Sequence, residues 1–222
     1  MTHALDKVFA WRDRLRQVQP LVPSLSPEGA AEALRVALDA LDELPALVER
    51  PAPPHTVFVA ARTVFTAPIE WCAVLLSRGG RVTIKSPDSL LPWFEQLADA
   101  TDLPLQATTD RGVLQRADRV VVMGSDATVR TLQSSCADVL GFGSRFSVAW
   151  WTNPASADAL ATDLALHDGR GCMSPVAIFS PLPDAAERLT AAMERAQQRL
   201  PRGSLSPAEG ALIRERGALA RG

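Results

Sequence analysis

Three short groups of residues in the 222-residue chain carry types and spacings that could do chemistry. "GRGCMSP" at 169–175 sets Cys172 between Gly171 and Met173 on a glycine-rich loop. A thiol there is either a nucleophile or a small packed side chain. The nucleophilic role needs its pKa, about 8.5 when unperturbed, lowered by backbone N–H groups or a cation. His167 and Arg170 are the nearest groups in sequence that could help. Cys72, inside "WCAVLL", reads as core, and Cys136, at a helix end after two serines, has no helper. "VTIKSPDS" puts Lys85 at a strand end, where it could reach a ribose or a phosphate, with Asp88 placed to accept from a ribose 2′-OH. The plainer alternative is a solvated lysine and a capping aspartate. In "VVVMGSDATVR" Gly124 allows a tight turn and Ser125 can cap the following helix, whose free N–H groups suit a pyrophosphate. An ordinary strand-to-helix turn reads the same way, and no G-x-G-x-x-G is present.

These groups need elements to hold them. "SLSPEGAAEALRVALDALDELPALVER" has Ser26 as N-cap, Pro27 at the first helical position and apolar residues at helical spacing. The proline cluster "RPAPPHT" ends it, leaving His55 in a linker and His3 in a tail. From residue 56 short apolar runs ("TVFVAA", "RVTIK", "LPLQATT", "RVVVMG", "RFSVAWW", "VAIFS") alternate with helical segments, among them "SDATVRTLQSSCADVL" and the helix opened by Asn153 and Pro154. That alternation predicts an α/β fold: a Rossmann-like parallel sheet with helices on both faces. N-terminal helices precede it, and the start of a second α/β catalytic domain follows. The expected division is 1–50 for the N-terminal helices, 51–167 for the Rossmann-like domain and 168–222 for an incomplete catalytic domain carrying the cysteine loop. Ser206 to Glu209 reads as a capping box for a last helix. Ligands of such sheets bind beyond the strands' carboxyl ends, which singles out loops 61–68, 85–89, 124–126 and 168–175.

Composition removes several classes of function. The net charge is −2, and no basic run is interleaved with aromatics, so nucleic acid and anionic membranes are poor partners. The longest apolar stretch, "APIEWCAVLLS", contains Glu70 and is too short for a membrane span. Three widely spaced cysteines argue against a disulfide framework and fit a reducing cytoplasm, and no Cys/His pair has metal-ligand spacing.

Taken in order, "FTAPIEWCAVLLSRGGRVTIKSPDS", "VVVMGSDATVRTL", "GFGSRFSVAWW" and "ALHDGRGCMSPVAIFS" resemble the aldehyde dehydrogenase superfamily, most of all its LuxC-like acyl-CoA reductase branch. The last segment is the most specific, since Asp168 to Pro175 looks like the family's D-x-x-G-C-x-S-P run around a nucleophilic cysteine. The resemblance covers about residues 55–200. It implies NAD(P)H-dependent reduction of an acyl-CoA thioester to an aldehyde through an acyl-enzyme on Cys172. The branch suggests NADPH; NADH is the alternative, because Asp88 would repel a 2′-phosphate. By the same resemblance Lys85 contacts the adenine ribose, and Gly124 and Ser125 lie against the phosphates. Where many relatives have an oxyanion-binding asparagine this chain has Thr66, so a hydroxyl must substitute. "GFGSRFS" lacks the glutamate with which hydrolytic relatives activate water, which favours transfer over hydrolysis.

Only about fifty residues follow Cys172, too few to complete the catalytic domain of that superfamily. The expectation is therefore either the N-terminal part of a longer protein or a reduced relative with a different role, and the expected macromolecular partner is a further copy in a homo-oligomer or a second chain that completes the domain. The rivals are a non-catalytic nucleotide-binding or partner module and an acyl-phosphate reductase of the same superfamily. The reductase reading expects Cys172 to open on the cleft that Lys85 and Ser125 line.

Overall fold

The computed structural model describes residues 2–47 and 51–204, together with 207, 210 and 211. The chain begins with α1 (Thr2–Leu15) and α2 (Pro27–Asp39), followed by a 3-10 segment at Ala40–Leu47. Ser26 caps α2 by accepting from the Gly29 N–H at 3.0 Å, with Pro27 at the first helical position. These helices do not stand apart. Val8, Trp11 and Leu15 of α1 and Leu34 and Leu38 of α2 share one core with Phe58, Ile69, Val82 and Ile84 of the sheet layer. The buried Trp11 indole also donates to the Leu97 carbonyl at 3.0 Å. The described N-terminal helices thus pack directly on the sheet layer.

The main sheet is built from β1 (His55–Val59), β2 (Arg81–Lys85), β3 (Leu105–Thr108), β4 (Arg119–Met123) and β5 (Val139–Phe142). All are parallel, in the order β3-β2-β1-β4-β5, joined through α3 (Ala67–Ser77), α4 (Leu91–Asp99) and α5 (Asp126–Ser135). The order reverses at β1, giving the Rossmann-like sheet expected from the alternating pattern. Its central strands are apolar runs because both faces are covered.

Two expectations are corrected here. The helix expected to run through Leu140 stops at Ser135, where the Ser134 and Ser135 hydroxyls bond back to the Thr131 carbonyl and Cys136 turns extended. Val139–Phe142 is instead the fifth strand, a half-exposed edge. His55 is not in a linker but buried at the start of β1. Its Nδ1–H donates to the Arg116 carbonyl at 3.1 Å, so Nε2 accepts from the Thr83 hydroxyl at 2.9 Å. His3 lies within α1.

A second sheet pairs β6 (Ser147–Trp150) with β7 (Pro175–Phe179), again parallel, across α6 (Ala157–Ala165). With α7 (Ala185–Arg199), α6 covers one face through the fully buried Ala161, Ala192 and Ala196. β6, α6, β7 and α7 together form this second layer. The sheet's other face is bare: Trp150 and Val176 are 73% and 71% exposed, with Phe146, Val148 and Phe179 beside them. The capping box at Ser206–Glu209 lies outside the described residues. No helix among them is long and apolar enough to cross a membrane.

Because Trp11 is fully buried in the core shared by α1 and the sheet layer, and its indole is bonded to Leu97, Trp11→Ala should destabilise the main core by about 3–5 kcal/mol. Denaturant unfolding should then show one transition at lower denaturant rather than separate loss of the N-terminal helices.

Candidate functional site

The cysteine loop is shaped by an unusual backbone. His167, Asp168 and Gly169 run consecutively through the left-handed region at φ 53°, 55° and 72°. Only the glycine adopts this without strain, so the other two must be held. Asp168 accepts from the Gly203 N–H and pairs with Arg170 at 3.2 Å. Arg170 reaches the Ser24 carbonyl, and the Ser204 hydroxyl donates to that of Pro23. Gly203 threads so close to Ser24 and Leu25 that a Cβ there would collide with their backbone.

Beyond this bend the Ser174 N–H donates to the Gly171 carbonyl at 3.1 Å, closing a turn with Cys172 and Met173 at its tip. The buried Ser174 hydroxyl pins the turn to the end of α6 through the Asp163 carbonyl at 3.0 Å. Cys172 is exposed, Cys136 half-buried and Cys72 sealed, its thiol pKa pushed up by burial.

Cys172 opens on a cleft of about 380 Å³ whose lining is mostly apolar. One wall is Ala33, Val36, Ala37 and Ala40, from α2 and its C-terminal end; another is Thr66, Ala67 and Glu70 at the start of α3; the cysteine loop with Asp163 and His167 completes it. Thr66 is buried at the N-cap of α3, and its side chain makes no cap hydrogen bond. The residue before it is rigid: the Phe65 carbonyl accepts from the Trp93 indole at 3.1 Å, and the Phe65 ring meets Trp93 edge-on. His167 meets the same ring edge-on, with 5.7 Å between centroids. Burial, with the Arg170 charge second, lowers the His167 pKa to about 4. It is neutral at pH 7 and supplies no positive charge to the thiol, while Arg170 is paired with Asp168.

The structure thus brings Thr66 and Cys172 to one cleft. Lys85, Asp88, Gly124 and Ser125 do not line it, so the expectation of a single cleft shared by Cys172, Lys85 and Ser125 is not met. Lys85 ends β2 and Asp88 follows it, while Gly124 and Ser125 follow β4, so the four lie at the carboxyl edge on either side of β1. Lys85 folds onto the Ser86 carbonyl at 3.1 Å, and Asp88 is exposed. Ser125 caps α5 by accepting from the Thr128 N–H at 3.2 Å. A Cβ on Gly124 would make only ordinary contact with Thr128, at 3.6 Å, and its φ is not positive. The local fold does not demand glycine there, and the position follows β4 beside the strand-order reversal at β1. The glycines of "GFGS" have a different cause. A Cβ on Gly141 would strike Val129, and one on Gly143 would strike the Asp126 carboxylate, which accepts from the Ser144 N–H at 2.7 Å.

Two contributors escaped the sequence reading. The α2 wall is a stripe at 33, 36, 37 and 40 that is helical in period, and nothing in it signals that it borders a site. His167 was visible only as a neighbour of Cys172; its left-handed backbone and its contact with Phe65 depend on tertiary packing.

The profile of the Acyl-CoA reductase (LuxC) family matches residues 104–221, just over half of the sequence. The chain belongs to this family. Among solved structures, it resembles an acetylating aldehyde dehydrogenase from Geobacillus thermoglucosidasius at 14% identity and TM-score 0.69, covering 88% of this chain and 54% of that one. A Rhodopseudomonas palustris propionaldehyde dehydrogenase with bound propionyl-CoA matches at 12% and 0.63, covering 86% and 53%. An NADP-dependent glyceraldehyde-3-phosphate dehydrogenase from Bacillus halodurans, complexed with NADP, matches at 16% and 0.63, covering 91% and 53%. At these identities the likeness is one of fold, and this LuxC-family chain spans about half the length of each. No curated protein matches the sequence.

Two measurements check this geometry. Limiting iodoacetamide on the native protein should label Cys172 first and Cys136 more slowly, with Cys72 silent until unfolding; equal labelling of Cys72 would contradict the packing. The lowered His167 pKa means the unfolded chain takes up a proton at higher pH than the fold does. The resulting stability is present above about pH 6.5 and lost as pH falls towards about 4. Relative to His167→Asn, the native protein should lose on the order of 3 kcal/mol between pH 7 and pH 4 in denaturant titrations.

Proposed function

We propose that this chain carries the thiol and cofactor half-sites of an acyl-CoA reductase. The observation that carries the reading is Cys172, exposed at the tip of a pinned turn and opening on an apolar cleft opposite Thr66. The cleft's apolar wall suits the hydrocarbon part of an acyl group, and the exposed thiol suits attack on its carbonyl. In that step Cys172, its proton given up to solvent, attacks as the thiolate: the Sγ–C bond forms, the C–S bond of the thioester breaks, and coenzyme A leaves as a thiolate that takes a proton from solvent. The charge that gathers on the carbonyl oxygen needs fixed donors. The Cys172 backbone N–H and the Thr66 hydroxyl are the ones proposed.

Lys85, Gly124 and Ser125, with Asp88 nearby, would hold a nicotinamide dinucleotide, NADPH or NADH, along the carboxyl edge of the main sheet. When bound in its reduced form, that cofactor would supply the hydride that releases an aldehyde. Family membership and the fold shared with an enzyme bound to propionyl-CoA and another bound to NADP support this reading.

The division we propose places the cofactor-binding part before β6 and the first part of the catalytic domain from β6 onward. The exposed apolar residues Phe146, Val148, Trp150 and Phe179 on or beside β6 and β7 fit a face that other polypeptide would cover.

Incubation of the protein with an acyl-CoA should add one acyl mass to the peptide containing Cys172 and release free coenzyme A. Cys172→Ser should abolish the adduct, and Thr66→Val should slow it about tenfold or more, as loss of an oxyanion donor does. An adduct on Cys136 instead, or none on any cysteine, would overturn the assignment.

A further inference from the structure

Among the polar groups that line the cleft, His167 combines burial with an unmet hydrogen-bonding atom and has no task in the proposal above. His167 Nδ1 is buried with no hydrogen-bond partner, although its ring lines the cleft beside Cys172 and Thr66. The ring also bridges the two halves of the site. One face of contact is Phe65, directly before Thr66, at 5.7 Å between centroids. On the other side its Cδ2 lies 3.4 Å from where a Cβ on Gly171, directly before Cys172, would stand. Cδ2 is bonded to Nε2, so that edge of the ring is turned towards the cysteine turn.

We propose that His167 is a catalytic residue whose Nε2–H donates a hydrogen bond to the acyl oxygen as Cys172 attacks. This rests on the reductase reading and deepens it. A neutral imidazole carries one proton. Placed on Nδ1, that proton would be a buried donor with no acceptor; placed on Nε2, it leaves only a lone pair unmet, the cheaper arrangement. The donor thus lies on the nitrogen next to the cysteine-facing edge. Burial keeps the ring neutral, as an electrophilic donor to a developing oxyanion must be if it is not to transfer its proton outright. The strained φ of 53° is what puts the ring there. Such a donor strengthens a site in which Thr66 offers a single hydroxyl.

The test separates steps that build an oxyanion from one that does not. Cys172 would be acylated with octanoyl-CoA and, separately, with p-nitrophenyl acetate, and alkylated with iodoacetamide, in wild type, His167→Gly and His167→Asn. Glycine and asparagine both accept positive φ, so neither strains the loop, and thermal melts confirm folding. In His167→Gly both acylations should fall about 10²-fold while alkylation of Cys172 stays within about twofold. His167→Asn, which keeps an N–H donor, should recover part of the loss. Equal falls in acylation and alkylation would make His167 a packing residue and overturn the role, as would undiminished acylation by p-nitrophenyl acetate in His167→Gly. Failure of octanoyl transfer in wild type, with p-nitrophenyl acetate still acylating Cys172, would overturn the coenzyme A reading, and a surviving His167 effect would uphold the donor.

Discussion

Two residues with side chains held in the left-handed region cost the fold roughly 1–3 kcal/mol each, and the cysteine turn is placed by that strain. His167 and Asp168 persist there because three separate stretches of chain meet over them. Asp168 is tied to Gly203, Arg170 to Ser24, and Ser204 to Pro23. None of these bonds is short or deeply buried, and individually each contributes little. Together they remove the backbone's alternatives, and the turn closed by Gly171 and Ser174 inherits a fixed starting direction. Had the bend relaxed to ordinary helical or extended angles, Cys172 would leave the wall that faces Thr66.

The opposite wall is fixed by different means. Thr66 follows Phe65, whose carbonyl and ring are both claimed by Trp93 of α4, and α4 also receives the indole of Trp11 through the Leu97 carbonyl. Tryptophan N–H groups are thus used twice to lock a backbone carbonyl inside the apolar layer, where an unpaired carbonyl would be penalised. The N-terminal helices consequently serve the site as well as the core: α2 offers Leu34 and Leu38 inward and Ala33, Val36 and Ala37 to the cleft. Small side chains on that second stripe leave the cleft its width.

Much of this organisation was legible in the sequence. Apolar runs such as "RVVVM" announce buried parallel strands, and Ser26-Pro27 and Ser125 announce helix starts that the structure caps as expected, whereas Asn153-Pro154 opens a 3-10 turn ahead of α6. The errors share a cause. Val139–Phe142 is an edge strand with one open side, so its pattern of half-exposed residues lacks the apolar run that identifies inner strands. "RFSVAWW" has the right composition for a strand, but which sheet receives a strand is decided by partners far away in sequence. Cys172 and Thr66 could be named from motif and resemblance. The strain at His167, the clasp on Asp168 and the α2 wall could not, since each arises from contacts between segments up to about 180 residues apart.

The two half-sites nevertheless share a reference edge. Parallel strands all end on one side, so Lys85, Gly124 and the loop leading from β1 to Thr66 leave the sheet together. Val59, the last residue of β1, lies opposite Lys85 in one direction and Val122 in the other, and Ala60 bonds to the Lys85 carbonyl at 3.1 Å. A molecule held by Lys85 and Ser125 that also reaches Cys172 must therefore cross the end of β1 and pass over residues 60–66. Phe65, fixed by Trp93 and touching His167, is the rigid part of that crossing. On the proposed reading, the separation of the cleft from the strand-end residues sets the length of ligand that would join them, and the loop between β1 and α3 is where a cofactor and an acyl group would meet.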